Sequence, residues 1–586
     1  MSGRRWGPLL GRDNVTFRLW APAAKSISLV SQETHPMSSI DDGWFEITQP
    51  NANAGTRYKF RIDGTFDVPD PVSHFQPEDV HGPSEVIDHT FAWACDDWKG
   101  RPWHECVFLE LHIGSFTPQG TFLAAIDQLN HVANTGFTAI ELMPVADFAG
   151  RWNWGYDGVL PFAPDSAYGR PEDLKMLIDA AHARGLMVFL DVVYNHFGPE
   201  GNYLGHYAPS FFSEAHTPWG NAIDYRLPQV RAFAIENALH WLDNYRFDGL
   251  RLDAVHAITE PGVPSVLEEL SSAVGQFAAS TGRHLHLVLE NDDNRARLLD
   301  PSTDPPRGRY RAQWNDDYHH AFHVLLTGET TGYYRDYRDA KLLLARTLGQ
   351  GFGYQGEPSP HRGWTPRGEP SSTLPATAFV NFLQNHDQIG NRARGERLAE
   401  IAKPEALEAA LEVTLLSPAP PLMFMGDEWG SKQPFPFFCD FEDDLANAVR
   451  LGRRQEFSEA YAENDTEIPD PLSLSTVKLA TLDWNAPAHG EHHTRLGLVR
   501  RLLATRRASI TPLLLEFEPG ACKASMNGGL LDAYWRMKDG RRLRVMANFA
   551  ERSSLLSHVQ GYTPIWGDLA TYLAPWSVVV VLESGK

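Results

Sequence analysis

"DGLRLDAVH", residues 248–256, decides how the rest of the chain is read. Its apolar content and length are those of a short strand. Side chains two apart on a strand share a face. Arg251 and Asp253 therefore lie on one face, and Leu250 and Leu252 on the other. An acid and a base side by side, among neighbours that look buried, call for an architecture whose strand ends carry chemistry.

Working outward, strands and helices alternate. Upstream lie the apolar strands "CVFLELHIG" (106–114), "TAIELMP" (138–144) and "LMVFLDVV" (186–193). Between them fall the helical patterns "TFLAAIDQLNHVANTG" (121–136), closed by Gly136, and "PEDLKMLIDAAHARG" (171–185). The second opens on Pro171 and closes on Gly185, the usual order of such punctuation. A helix over 227–245 precedes the opening stretch. Downstream follow a helix over 265–280, strands "LHLVLE" (285–290) and "TAFVNFLQN" (377–385), a helix over 405–416 and the strand "PLMFMGDE" (421–428). "YRAQW" (310–314) is a candidate eighth strand, and residues 494–507 a last helix. Near-continuously apolar strands alternating with helices predict a parallel sheet closed as a (β/α)8 TIM barrel. A doubly wound open sheet is the alternative. It calls for a GxGxxG or P-loop after its first strand, and neither is present.

On either side the pattern changes. Residues 1–90 carry short strands at 14–24, 26–30, 43–49 and 56–62 between turn signals, which predicts an immunoglobulin-like β-sandwich. Residues 511–586 return to strand and turn, with a "KDG" hairpin signal, and predict an all-β domain. The barrel with its long loops takes 91–510.

Composition narrows the function. The formal charge of −22 argues against a nucleic-acid partner, which needs clustered Lys and Arg. No apolar run reaches the roughly 18 residues of a membrane span, and no secretory leader is evident. The four cysteines form no CxxC pair and no metal-ligand spacing. A cytoplasmic protein is expected, acting as a monomer without cofactor or required metal. The 17 Trp, 18 Tyr and 31 Phe fit either a large core or stacking platforms for sugar rings or bases.

Barrel chemistry sits at the C-terminal ends of strands. Four such ends carry acids: Asp191 with Asn195 and His196 in "DVVYNH", Asp253, Glu290, and Asp387 after Asn385 and His386. Any one of them alone reads as a helix cap. Four on one rim point to convergent carboxylates. Without a cysteine nucleophile or a metal spacing, that is the equipment of glycoside hydrolysis. Arg251 beside Asp253 is expected to keep it ionised, and burial of Glu290 after its Val-Leu run to keep it protonated.

Together "DVVYNH", "GLRLDAVH", the Glu of "LVLEND" and "QNHDQ" resemble the four ordered motifs of the α-amylase superfamily, glycoside hydrolase family 13. The resemblance implies a retaining hydrolase with Asp253 as nucleophile, Glu290 as acid/base and Asp387 as transition-state stabiliser. It implies that Arg251, His196, His386 and Tyr156 of "WNWGYDG" contact the sugar in the −1 subsite, and that Asp191 is structural. "ELHIGSFTPQGTF", "YNHFGPEGNYL", "QWNDDYHHAFH", "QNHDQIGNRARGERL" and "PLMFMGDEWG" are similar to the members that cut the α-1,4 bond next to the terminal trehalose of maltooligosyltrehalose. Branching enzymes and isoamylase-type debranching enzymes share the plan. Branching enzymes, however, typically carry Ser and Glu where Asn385 and Gln388 stand. The expected contacts to the trehalose unit are His256, Asp292, Gln388 and Arg392. The loop 194–225 is expected to line the cleft. A glycan-binding protein on the same scaffold is the non-enzyme reading, and it would be favoured by loss of a catalytic carboxylate.

Overall fold

The computed structural model describes residues 6–217, 220–258, 265–300, 310–458, 468–556 and 561–585. At its centre eight parallel strands close into a barrel in sequence order. They are β1 (Phe108–Leu111), β2 (Ala139–Leu142), β3 (Met187–Val192), β4 (Gly249–Leu252), β5 (His286–Leu289), β6 (Ala312–Trp314), β7 (Phe379–Phe382) and β8 (Pro421–Phe424). Every residue of these strands is buried, which is why they read as apolar runs rather than as alternating ones. The barrel interior is packed by Phe108, Met187, Phe189, Val288, Trp314 and Phe382. Gly249 opens β4 because nothing larger fits: a Cβ there would meet the Phe189 ring at 2.2 Å.

The candidate strand at 310–314 is a true barrel strand, pairing with β5 and β7. The helix expected over 121–136 is two, Phe122–Ile126 and Leu129–Thr135. The first packs on the helix Pro171–His182 and the second on Gly490–Thr505, so each half follows its own neighbour. Gly136 does close the second, at φ 114°. Between β6 and β7 lie two helices that sequence patterning leaves unread, Asp316–Thr327 and Ala340–Gln350. On the first, buried His319, His320 and His323 are interleaved with buried Tyr318, Ala321, Phe322 and Val324, which blurs the apolar periodicity.

Before the barrel, two antiparallel sheets enclose Val15, Phe17, Leu29, Tyr58 and Phe60. After it, a five-stranded antiparallel sheet carries the chain's end, and its Leu530–Met537 and Arg542–Asn548 strands flank the expected hairpin turn. Among the described residues no helix is long and apolar enough to cross a membrane.

The loop 194–225 departs from expectation. It leaves the C-terminal end of β3, and Asn195 and His196 do reach the catalytic carboxylates. Beyond them its aromatics fill the seam with the N-terminal sheets: Tyr203 packs on Phe66, and Phe211 on Trp20 and on Phe233 of the helix Pro228–Asn244. Apolar rings bury more surface in that seam than along an open cleft. Pro218 and Trp219 of this loop lie outside the described residues.

Candidate active site

The site is assembled around one side chain. Arg251 projects from β4 into the barrel and is fully buried. Its Nη1 reaches Asp191 at 2.7 Å and Asp253 at 2.8 Å, and its Nη2 reaches Glu290 at 2.9 Å. These carboxylates come from the ends of three neighbouring strands, β3, β4 and β5. The guanidinium also lies 4.1 Å over the Trp314 ring. A buried cation without this set of partners would be prohibitively costly.

Asp253 and Glu290 share this cation but not its effect. Burial pushes the Asp253 carboxyl up, yet Arg251, His196 and the Asn195 amide, which donates to its Oδ2 at 2.7 Å, hold it below the usual range. Burial raises the Glu290 carboxyl well above the usual range, and the negative charges of Asp253 and Asp387 add to that against the pull of Arg251. One acid is therefore kept ionised and its neighbour protonated, the division of labour that acid–nucleophile pairs require. The backbone between them is strained: Ala254 takes φ 41°, and its N–H donates to Glu290 Oε2 at 2.8 Å. Burial also raises Asp191, to about 7, and it accepts the Tyr156 hydroxyl at 2.6 Å.

The opposite side is aromatic. The Tyr156 ring stacks on His386 at 5.1 Å and 22°. His196 Nε2 pairs with the Tyr156 carbonyl at 2.9 Å, and His386 Nε2 lies 3.4 Å from Asp387 Oδ1. Tyr156, His196, Arg251, Asp253, Glu290, His386 and Asp387 thus form one continuous cluster.

A cleft of about 240 Å³ extends away from it, with His256, Glu290, Asp292, Asp387 and Gln388 in its lining. Three of the four residues expected at the trehalose end are therefore present. Asp292 is not free to move. Arg362 grips its carboxylate, Arg367 reaches it at 2.8 Å, and its own N–H donates to His256 Nδ1 at 3.3 Å. Gln388 turns its amide oxygen back to cap Asn385 N–H at 3.1 Å. Arg392 is otherwise engaged: its guanidinium holds both oxygens of Glu329, at 2.7 and 3.1 Å. The half-buried carboxylate of Glu329, which also pairs with His323, outcompetes the cleft for it.

Sequence reasoning missed several members. Arg362 and Arg367 come from a hairpin, Glu357–Ser359 and Thr365–Arg367, inserted before β7. Asp316 lines the cleft, and burial with neighbouring Asp292 lifts its carboxyl to about 8. Glu110 holds His386 from β1. Only Glu110 left a signal, as an acid inside the apolar run "CVFLELHIG".

Among the described residues one group of side chains has the composition of a metal site, His74, His89 and His240, at the seam between the N-terminal segment and the helix Pro228–Asn244. Several of its nitrogens already have hydrogen-bond partners. His89 pairs with His74 at 3.1 Å, His240 with the Phe162 carbonyl and Asn244, and Lys175 approaches His89 Nδ1 at 3.4 Å. A lysine against one ligand opposes a cation there.

Known proteins are similar along the whole chain. The alpha amylase catalytic domain matches residues 96–216, and carbohydrate-binding module 48, the isoamylase N-terminal domain, matches residues 4–77. A malto-oligosyltrehalose trehalohydrolase of Deinococcus radiodurans is 42% identical over 85% of this chain and 82% of its own length. One of Saccharolobus solfataricus is 40% identical over 82% and 83%. A crystal structure described as a putative alpha amylase from Salmonella typhimurium superposes with TM-score 0.94 at 42% identity, covering 99% of this chain and all of its own.

Proposed function

The chain belongs to the malto-oligosyltrehalose trehalohydrolases, and from that membership we propose that it cuts the α-1,4-glucosidic bond next to the terminal trehalose of a maltooligosyltrehalose, with retention of configuration, and releases trehalose. The observation that carries the chemistry is the bridging of Asp253 and Glu290 by the one Arg251 guanidinium. Two carboxylates spanned by a single planar group fit the close spacing of about 5–5.5 Å used in retention better than the wider gap that admits a water for inversion.

On this reading the ionised Asp253 attacks the anomeric carbon of the −1 glucose while Glu290 gives its proton to the departing glycosidic oxygen. Trehalose leaves, and a glycosyl ester on Asp253 remains. Glu290, now a carboxylate, takes a proton from water as that water attacks the same carbon and frees Asp253. Positive charge develops on the sugar ring at both steps, and Asp387 and the other acids around the site stabilise it. Tyr156 offers its ring face to the sugar and His386 a hydrogen bond to one of its hydroxyls, while His196, whose nitrogens meet Asn195 and the Tyr156 carbonyl, meets the sugar only through its ring.

The α-1,1 bond bends the leaving disaccharide away from the line of an α-1,4 chain. Asp292, held by Arg362 and Arg367, and Gln388 are the groups that meet it. A branching enzyme of Mycobacterium bovis is 33% identical but over only 41% of this chain, which does not favour that alternative. Four free thiols support a reducing compartment such as the cytoplasm, and a formal charge of −22 supports a monomer.

The test is product analysis on maltotriosyltrehalose and on plain maltopentaose. Release of trehalose from the first, with slow turnover of the second, is expected. Branching or hydrolysis of plain glucan alone would overturn the reading.

A further inference from the structure

His386, just past β7, is held from β1, two strands away around the closed barrel. Glu110, in the middle of β1, is fully buried and receives two hydrogen bonds from this one residue. Its Oε1 accepts from His386 Nδ1, and its Oε2 accepts the His386 backbone N–H at 3.2 Å. A carboxylate that grips ring and backbone together fixes the rotation of the imidazole as well as its position. The grip on Nδ1 leaves Nε2 as the nitrogen that faces Asp387 and the cleft. Tyr156 stacked on one face and Trp154 set edge-on at 5.4 Å close off other ring orientations. No step of the proposed reaction uses Glu110, and a buried acid in a barrel strand is expensive to keep.

We propose that Glu110 is a positioning residue of the hydrolysis: it aims His386 Nε2 into the −1 subsite and keeps a proton on it for donation to a sugar hydroxyl. The inference rests on the reading of the site given above, and it adds a task to a residue outside it. The groups that face His386 divide by sign. Glu110 and Asp387 favour its charged form, Arg251 opposes it, and burial opposes it most. Tyr156 and His112 complete the titratable neighbours, His112 being pushed down to about 4, chiefly by burial. The two carboxylates prevail, and His386 is raised to about 9. A neutral imidazole with Nδ1–H on Glu110 would present only a lone pair at Nε2. The charged ring presents a donor, aligned with the two acids that need the sugar held still.

The experiment is a titration of the full chain labelled with ¹⁵N-histidine, followed by long-range ¹H–¹⁵N spectra, with His386→Gln identifying the resonance. In the wild type, His386 is expected to titrate more than about one pH unit above an ordinary histidine. In Glu110→Gln it is expected to fall by roughly one unit or more. The alkaline limb of kcat should move down with it, and kcat should drop by about tenfold or more, with KM changed less. An unchanged His386 titration in Glu110→Gln overturns the proposal. A wild-type His386 that titrates like an ordinary histidine overturns it without any variant, which keeps the idea open to refutation should Glu110→Gln not fold. Neither titration depends on which glucan is cut, so failure here is distinct from failure of the proposed reaction.

Discussion

Arg251 and Arg367 are both buried guanidiniums, each binding more than one acid; Arg367 lines the cleft, and Arg251 pairs with Glu290, which lines it too. Arg251 joins Asp191, Asp253 and Glu290, which stand at the ends of three adjacent strands. Arg367 joins Asp317 at 2.7 Å, the Tyr337 hydroxyl at 2.7 Å and both the carbonyl and the carboxylate of Asp292, from a hairpin outside the barrel. The first hub is a product of strand register and builds the reacting centre. The second is a product of how an insertion packs, and it lines the cleft that, in the proposed function, receives the leaving disaccharide. The proposed function thus puts the chemistry on the rigid frame and the selectivity on inserted loops.

The sharpest way to break this division is through the carboxylates of the first hub. Asp253→Asn should lower kcat/KM by several orders of magnitude, on the order of 10⁴. Its fold should persist, because Arg251 keeps Asp191 and Glu290 as partners. Thermal unfolding and steady-state kinetics together check this. Turnover near the wild-type rate would remove Asp253 from the nucleophile's role.

Exchanging the hubs themselves comes next. Arg251→Met and Arg367→Met each strand buried acids, and each should cost about 3–5 kcal/mol of stability by denaturant unfolding. Their kinetic effects should differ. Arg251→Met should abolish turnover on every substrate, whereas Arg367→Met, at a temperature where it is folded, should retain turnover of maltopentaose and lose preference for maltotriosyltrehalose. Equal losses on both substrates in both variants would erase the division between centre and wall.

The finest test concerns the wall alone. Unpaired buried polar groups cost about 1–3 kcal/mol each. Asp292→Ala and Gln388→Ala should therefore each lower the ratio of kcat/KM on maltotriosyltrehalose to that on maltopentaose by roughly tenfold to a hundredfold. Asp292, held by two arginines, should show the larger change. An unchanged ratio in both variants would move selectivity to other parts of the cleft.

What the sequence by itself determined is local. Seven of the eight barrel strands announce themselves as short apolar runs, and the acids stand at or within a few residues of their ends, so Asp253, Glu290 and Asp387 are legible without any partner in view. The helix Asp316–Thr327 escaped because buried Asp317 and three buried histidines interrupt its apolar residues, and histidine has no fixed side in a polar-apolar pattern. The hairpin that holds Asp292 escaped because its arginines find their acids 70 and 75 residues away. Arg392 looked available for the trehalose unit because nothing near it in sequence announces Glu329, 63 residues back. Only the tertiary structure decided these pairings. The clearest instance is Glu110 and His386, 276 residues apart, which meet because the sheet closes on itself: β1 pairs with β8, and β8 with β7, whose end carries His386. A residue's type and its place on a strand are set by its neighbours in the chain, but the charge it faces is set by closure of the barrel, and that charge decides which acid holds its proton and which gives it up.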